Sequence, residues 1–165
     1  ELIDAARILK SKNVECIITL VGGPDTENPT SISEQQLKGW VKEGIINWWG
    51  ERDDILHVWS QSHIAVLPSY REGLPKSLLE AAACNRAIIA TNISGCRELI
   101  EDGKNGILVP VKNSQKLAEA IEFLVNNSEL RLKMGKEARR RVVSNFSDKV
   151  IVKQVLTIYQ HMLNE

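Results

Sequence analysis

Two glutamates frame the stretch of the sequence whose residue types are best suited to chemistry. Seven residues separate Glu72 from Glu80, and Gly73, Pro75 and Lys76 lie between them. The glycine lets the backbone approach a ligand without a side chain in the way. The proline suits the first position of a helix, where a missing N–H costs nothing. The free N–H groups of that first turn would then offer a binding site for a phosphate.

The spacing of Glu72 and Glu80 argues against a two-carboxylate glycoside hydrolase. On one helix the two side chains would lie ~12 Å apart along the axis. A hydrolase pair needs a separation of roughly 5 to 9.5 Å. The spacing instead suits the two ends of one elongated ligand with a phosphate between them. On the residues alone, another interpretation stays open: Glu80 is a solvated helix residue, and Glu72 compensates a helix dipole.

Composition indicates one globular domain. Of the 165 residues, 43% are hydrophobic and 25% are charged, which is enough for a real core. The formal net charge is zero, so charge gives no reason to expect a nucleic-acid partner. Three cysteines without a CxxC pair argue against a disulfide framework and favour a cytoplasmic protein. No apolar run approaches the roughly 20 residues that span a bilayer.

Apolar runs that alternate with helical patterns predict an α/β, Rossmann-like, three-layer domain with a parallel sheet. The predicted strands are residues 16–21, 45–49, 63–67, 87–91 and 107–109. The predicted helices are residues 1–12, 33–43, 53–62, 74–84, 97–102, 114–125, 129–143 and 148–163, and residues 24–30 are predicted as a loop. Because the sequence begins on a helix, we expect that a preceding strand is missing.

Three helix starts carry capping signals in the sequence. Ser33 followed by Gln36 resembles a capping box. Asp53 or Asp54 is predicted to cap the third helix, and Ser114 is predicted to cap the sixth.

Loops follow four of the predicted strands: Gly22-Gly23, Gly50, residues 69–75 and residues 92–95. In parallel sheets, ligands bind at the carboxyl ends of the strands. The four loops are therefore expected to meet at one edge of the sheet and form a binding site there.

The stretch from Ala65 to Pro110 resembles the donor-binding half of the glycosyltransferase group 1 family, which has the GT-B fold. Weaker similarity covers nearly the whole chain. Four motifs carry the resemblance, in order and at compatible spacing: Leu67–Ser69, Glu72–Ala81, Ala90–Glu98 and Asp102–Pro110. The resemblance implies that residues 1–165 are a single donor-binding domain, without its first strand and without the N-terminal acceptor domain.

The family pattern implies roles for the matching residues. Glu72 would be the catalytic residue, beside the sugar and its phosphate, and Glu80 would bind the ribose hydroxyls. The backbone from residue 73 to residue 76 would contact the sugar and the diphosphate, and the loops after two earlier strands would flank the base. The implied donor-binding residues are Gly73, Leu74, Pro75, Lys76, Glu80, Gly22, Gly23 and Arg52.

The resemblance also implies a reaction and its partners. The complete enzyme would transfer a sugar, with retention of configuration, from a nucleoside diphosphate sugar to an acceptor hydroxyl. We expect a UDP-sugar donor, no cofactor, no metal, and a role in bacterial surface polysaccharide or glycolipid synthesis. The missing N-terminal domain would bind a sugar or a lipid-linked acceptor. Such an enzyme would be cytoplasmic, with peripheral contact at the inner face of the membrane.

Two departures from the family pattern limit this expectation. Ser94 stands where the family has glycine or proline. The phosphate-binding arginine and lysine of the family belong to a segment before Glu1. We therefore expect that this chain alone binds a donor weakly and transfers little or nothing.

Two alternatives remain for the same fold class. A nucleotide-sugar epimerase would place a histidine after a strand, and the sequence offers none there. A receiver-like regulatory domain would end a strand in aspartate, and no predicted strand does so.

Overall fold

The computed structural model describes residues 1–25, 27 and 31–163. Of the loop predicted at residues 24–30, positions 26 and 28–30 lie outside the described residues. The strands are β1 (Thr19–Leu20), β2 (Asn47–Trp48), β3 (Ile64–Leu67), β4 (Ala87–Thr91) and β5 (Gly106–Val109). The helices are α1 (Leu2–Ser11), α2 (Glu34–Lys42), α3 (Ile55–Ser60), α4 (Lys76–Ala83), α5 (Ser94–Leu99), α6 (Ser114–Asn126), α7 (Ser128–Asn145) and α8 (Asp148–Leu163).

All pairings between the five strands are parallel, which confirms the predicted α/β class. The strands form two sheets, however, with the orders β1-β2 and β3-β4-β5. The predicted strands at residues 16–21 and 45–49 shorten to Thr19–Leu20 and Asn47–Trp48, which pair with each other.

The core lies on both faces of β4, as expected for a parallel strand covered by helices. Ile89 packs on one face with apolar residues of α1 and α6. Ile88 packs on the other face with apolar residues of α4 and α5. Both isoleucines are fully buried, and each contributes about 1.5–3 kcal/mol of hydrophobic stabilisation. Helix α7 contributes to both faces, through Met134 on one and Ala138 on the other.

The amino ends of the helices test the capping residues that the sequence predicts. The capping box of α2 is confirmed, since the Gln36 N–H donates to Ser33 Oγ at 3.2 Å and the Ser33 N–H donates to Gln36 Oε1 at 2.9 Å. Helix α6 is capped by Asn113, whose Oδ1 accepts from the Lys116 N–H at 2.9 Å, so the prediction of Ser114 is wrong.

The predicted cap of α3 is also wrong. Asp54 is the residue before the helix, but its side chain makes no capping hydrogen bond. It accepts from Arg52 Nε at 2.7 Å instead, because the guanidinium is a charged donor only two residues away. Asp53 is separated from the helix by Asp54 and does not occupy the capping position.

The last helix, α8, buries none of its residues. Its exposed apolar side chains include Leu156, Ile158 and Tyr159. In the described part of the chain, no helix has the length and apolar character needed to cross a membrane.

Gly135 allows α7 to pack on the turn between α4 and β4. A Cβ at this position would lie 2.0 Å from the carbonyl oxygen of Asn85. We expect Gly135→Ala to lower the free energy of unfolding by about 1–3 kcal/mol, because the helix must move away from the turn. Urea unfolding followed by circular dichroism measures this change.

Gly39→Ala is the matched control for this substitution. Gly39 lies in α2, and a Cβ there would meet no described atom within 4 Å. Alanine should therefore raise the free energy of unfolding by about 0.5–1 kcal/mol through its helix propensity. Equal stability of the two variants would contradict the close packing of α7.

Candidate active site

The loop of residues 68–75 joins β3 to α4, and the central strand holds its beginning in place. The side chain of Thr91, at the end of β4, is buried. Its hydroxyl donates a hydrogen bond to the carbonyl oxygen of Ser69. A buried hydroxyl needs such a partner, so this contact fixes where the loop leaves the sheet.

The middle of the loop lies directly against the start of α5. A Cβ on Gly95 would lie 2.3 Å from the carbonyl oxygen of Glu72 and 2.1 Å from that of Gly73. No residue with a side chain fits there unless the loop moves. Gly95 therefore determines the position of the backbone at Glu72 and Gly73.

Cys96 follows Gly95 and lies beneath the same loop. Its side chain is fully buried, and burial raises the pKa of the Cys96 thiol. The negative charge of the Glu72 carboxylate raises this pKa further. The thiol is thus a neutral packing group under the candidate catalytic glutamate.

The amino end of α4 carries no side-chain cap. Pro75 is the residue before the helix, is buried, and has an extended ψ of 112°. Helix α4 therefore begins at Lys76, and the predictions that it starts near Leu74 and that Pro75 takes the first helical position are wrong. The N–H groups of α4 that lack partners within a helix lie at this end, together with the positive end of the helix dipole.

Gly73 and Leu74 precede this helix end and are accessible. A Cβ on Gly73 would meet no described atom within 4 Å. The side chain of Leu74 is exposed. Space for a ligand therefore exists beside the backbone that leads into α4.

Glu80 projects from α4 one turn beyond Lys76. Its Oε1 lies 3.6 Å from Lys76 Nζ, and the two side chains are 31% and 89% exposed respectively. An ion pair as exposed as this is weak. The ammonium group of Lys76 is therefore available to another anion.

The two glutamates line different cavities. Glu72 lines a cavity of about 410 Å³, which is bounded by Tyr70, Arg71, Glu72, Gly73, Ile93 and Ser94. Glu80 lines a cavity of about 1180 Å³ between β1 and β3, together with Val21, Trp49 and Ser77. The amino end of α4 lies between the two glutamates in the sequence.

The loops after β1 and β2 are joined to each other. The Gly22 N–H donates to the Gly50 carbonyl oxygen at 2.7 Å. Trp48 Nε1 donates to the Gly22 carbonyl oxygen at 2.8 Å. Gly22 has a φ of +121°, which favours glycine, and a Cβ on Gly23 would lie 2.9 Å from Glu51 Oε1. Gly22 and Gly23 are thus held at the end of the first sheet.

Arg52 follows these loops in the chain, and its guanidinium donates hydrogen bonds to the Asp54 carboxylate. The guanidinium hydrogen bonds lower the pKa of the Asp54 carboxyl from its usual value. The side chain of Arg52 is exposed. The role of Arg52 in donor binding remains a prediction, and it requires that the pair with Asp54 opens.

Sequence reasoning placed residues 92–95 among the loops at the site and residues 90–98 in a family motif, but it did not predict the supporting contacts of Thr91, Gly95 and Glu51. A hydroxyl residue at the end of a buried strand and a glycine at a helix start were the available signals. Among residues 1–25, 27 and 31–163, no group of three or more His, Cys, Asp or Glu side chains is arranged to hold a metal ion.

Parallel strands covered by helices on both faces, with loops at their carboxyl ends, define a Rossmann-like α/β domain. The family model described as glycosyl transferases group 1 matches residues 1–141. The chain therefore belongs to the glycosyl transferases group 1 family, and its fold is that of the GT-B glycosyltransferases. This membership removes the support for an epimerase or a receiver-like regulatory domain.

Individual relatives agree with this assignment. The chain is 34% identical to the N,N'-diacetylbacillosaminyl-diphospho-undecaprenol alpha-1,3-N-acetylgalactosaminyltransferase of Campylobacter jejuni, over 99% of this chain and 41% of that protein. It is 28% identical to a capsular polysaccharide biosynthesis glycosyltransferase of Staphylococcus aureus, over 100% of this chain and 43% of that protein. The chain thus spans about two fifths of the length of these relatives.

A solved structure shows the same fold. The Anabaena protein HepE in complex with UDP superposes with a TM-score of 0.85 at 24% identity, over 97% of this chain and 44% of that chain. The similarity extends over nearly all of this chain.

Gly95→Ala should displace the loop at Glu72 and Gly73, because its methyl group would overlap both carbonyl oxygens. We expect the free energy of unfolding to fall by about 1–3 kcal/mol. The backbone amide NMR signals of Glu72 and Gly73 should also shift.

Gly73→Ala is the control, since it adds a methyl group to open space in the same loop. Its free energy of unfolding should stay within about 0.5 kcal/mol of the parent value. Unchanged amide signals in Gly95→Ala would show that α5 does not position this loop.

Proposed function

We propose that this chain is the donor-binding domain of a retaining glycosyltransferase that uses a UDP-sugar. The observation that carries the proposal is the uncapped amino end of α4, between Glu72 in one cavity and Glu80 in the other. An elongated anion with a sugar at each end suits this order of groups. A nucleoside diphosphate sugar is such an anion.

The diphosphate binds at the amino end of α4. The N–H groups of the first turn and the helix dipole favour negative charge there. Lys76 adds a mobile ammonium group that reaches the phosphates when it leaves Glu80. These fixed dipoles also stabilise the charge that accumulates on the departing diphosphate, which is electrostatic catalysis without reorganisation.

The two ends of the donor contact the two glutamates. The carboxylate of Glu80 accepts hydrogen bonds from the ribose hydroxyls, and the carboxylate of Glu72 lies beside the transferred sugar. Gly22 and Gly23 flank the base at the end of the first sheet. Gly73 and Leu74 bring the backbone close to the sugar, because open space lies beside Gly73.

The transfer exchanges one bond at the anomeric carbon for another. The bond from this carbon to the diphosphate oxygen breaks, and the acceptor hydroxyl oxygen forms the new bond. The hydroxyl proton leaves with the nucleoside diphosphate. In this proposal the helix end and Lys76 supply the electrostatic stabilisation of the leaving group, and the reaction uses no metal or cofactor.

The acceptor and the biological role follow from the relatives and are part of the proposal. One relative is named for a diphospho-undecaprenol acceptor and another for capsular polysaccharide biosynthesis. We infer a sugar or lipid-linked acceptor held by an N-terminal domain of the full-length enzyme. The free cysteines fit a cytoplasmic enzyme that contacts the inner face of the membrane.

Glu80→Ala should weaken UDP binding by about 10- to 100-fold, because hydrogen bonds to a carboxylate contribute about 1.5–3 kcal/mol. An NMR titration of the chain with UDP, GDP and ADP measures the affinity and the base preference.

Glu119→Ala on α6 is the control for charge removal, since its carboxylate is paired with Lys116 on the same helix. It should leave the UDP affinity unchanged. An unchanged dissociation constant in Glu80→Ala would remove the ribose role of this residue.

The pKa of Asp54 reports whether Arg52 binds the donor. Arg52 lowers this pKa in the folded chain. The stability from this pair is therefore present above the unfolded pKa of Asp54 and is lost as the pH falls through the folded pKa. If UDP draws the guanidinium away, the pKa of Asp54 should rise towards its usual value. Carboxyl-carbon NMR titrations with and without UDP measure the change.

Glu101 provides an internal control in the same titration, because Lys104 lowers its pKa. Its pKa should not respond to UDP. A pKa of Asp54 that stays the same at saturating UDP would exclude Arg52 from the donor site.

A further inference from the structure

Arg71 differs from every other arginine of the described chain, because its guanidinium has no partner there. It lies in the loop between β3 and α4 and is exposed. A guanidinium carries five N–H donors in a planar fork that matches the oxygens of phosphate and carboxylate groups. The remaining arginines all donate to a carboxylate or carbonyl oxygen nearby, namely Arg7, Arg52, Arg86, Arg97, Arg131, Arg139, Arg140 and Arg141. The guanidinium of Arg71 is therefore available to an anion from outside the chain.

Arg71 lines the cavity of about 410 Å³ that Glu72 also lines. This volume falls within the ~300–1,000 Å³ of small-molecule sites. The two residues are adjacent in the chain and opposite in charge, yet no ion pair joins them among the described residues. The cavity thus offers a carboxylate and a guanidinium as two separate contacts for a ligand.

Lys112, in the segment between β5 and α6, is a second cation near this cavity. Its Nζ lies 5.6 Å from the ring centroid of Tyr70. Tyr70 precedes Arg71, lines the same cavity and is held by its hydroxyl, which donates to Glu1 Oε1 at 2.6 Å. A cation–π contact at an exposed site is weak, so the ammonium group can move to a stronger partner. Tyr70 therefore keeps the positive charge of Lys112 close to the cavity.

The donor diphosphate does not account for these two cations. In the proposed function it binds at the amino end of α4 with Lys76, whereas Arg71 comes before Glu72 in the chain. The cavity beside Glu72 receives the transferred sugar, and a neutral sugar has no charge for a guanidinium to bind. The acceptor must also reach this sugar, because its hydroxyl attacks the anomeric carbon. An acceptor that carries a phosphate would bring an anion to the same cavity.

We propose that Arg71 binds a phosphate group of the acceptor and that Lys112 is a second contact to this phosphate. The inference rests on the proposed function and narrows its acceptor to an anionic one, such as a sugar linked to a lipid through phosphate. Bidentate hydrogen bonds from the guanidinium fix the orientation of the phosphate as well as its position. Arg71 thus holds the acceptor hydroxyl beside Glu72, and the two positive charges attract the acceptor to the cavity.

The test is an NMR titration of the chain saturated with UDP, so that the donor site is occupied. The probe is geranyl diphosphate, a soluble isoprenyl diphosphate, and geraniol is the same molecule without the phosphates. The Nε–Hε signal of Arg71 and the backbone amide signal of Ser94, which lines the cavity, report binding. Geranyl diphosphate should shift both signals, and geraniol should shift neither. Equal shifts with the two probes would overturn the proposal.

Arg71→Gln should weaken the binding of geranyl diphosphate, followed at Ser94, by about tenfold, because two charge-assisted hydrogen bonds are lost. Lys112→Gln should weaken it by about threefold, since an exposed ammonium group is a weaker contact. The matched control is Lys133→Gln on α7. Lys133 is an exposed cation without a partner in the described chain, and it does not line the cavity. Its substitution should leave the affinity unchanged, and equal dissociation constants in Arg71→Gln and Lys133→Gln would refute the role of Arg71.

A carboxylate on the donor sugar is the competing source of the anion. UDP-glucose and UDP-glucuronic acid differ by this carboxylate, and Arg71→Gln should bind each of them as tightly as the parent chain does. Weaker binding of UDP-glucuronic acid alone would assign Arg71 to the donor sugar and overturn the acceptor role. Weaker binding of both donors would assign Arg71 to the donor diphosphate, with the same consequence.

The donor site is tested separately, by the response of UDP binding to Glu80→Ala. The comparison of Arg71→Gln with Lys133→Gln is repeated without UDP, so that it does not depend on that outcome. An affinity for geranyl diphosphate that responds to Arg71→Gln supports the phosphate contact, whatever the result for Glu80→Ala. The two proposals can therefore fail independently.

Discussion

The contact between Gly95 and the carbonyl oxygens of Glu72 and Gly73 is the constraint on which the candidate site depends. It leaves no room for a single methyl group, so the start of α5 determines where the loop after β3 runs. The hydroxyl of Thr91 holds the beginning of that loop. Both supports come from β4, whose residues are all buried, and from the start of α5, where Gly95 is buried. A rigid core thus fixes a loop whose outer side is open.

The open side of this loop leads to the amino end of α4, where the helix dipole favours negative charge. A helix end without a capping side chain leaves N–H groups that need an acceptor, and water or an anion must supply it. Helices α2 and α6 satisfy some of these groups with the side chains of Ser33 and Asn113, whereas α1, α3, α4, α5 and α7 have no side-chain cap. In α4 the residue before the helix is Pro75, which has no side-chain acceptor. What distinguishes α4 is the open space beside Gly73 in front of it, and the proposed function places the ligand phosphate there.

Several features could be predicted because they depend on neighbours in sequence. The alternation of apolar runs and helical patterns predicted the α/β class, and Ser33 with Gln36 predicted a capping box. Predictions failed where two local options compete or where pairing needs a distant partner. Asn113 caps α6 in place of the predicted Ser114. Asp54 pairs with Arg52 and does not cap α3. The strands at residues 16–21 and 45–49 shortened to the residues that pair with each other, and neither pattern shows where its partner lies.

By itself, the sequence determined the class of fold, the family and the order of glutamate, glycine, proline and lysine at the start of α4, because these rest on residue type and local spacing. Only the tertiary structure decided that Gly95 supports the loop and that Glu72 and Glu80 line separate cavities. It also divided the strands of the described chain into two sheets. Contacts between residues far apart in the chain depend on how the elements pack, and no local pattern encodes the distance between two loops.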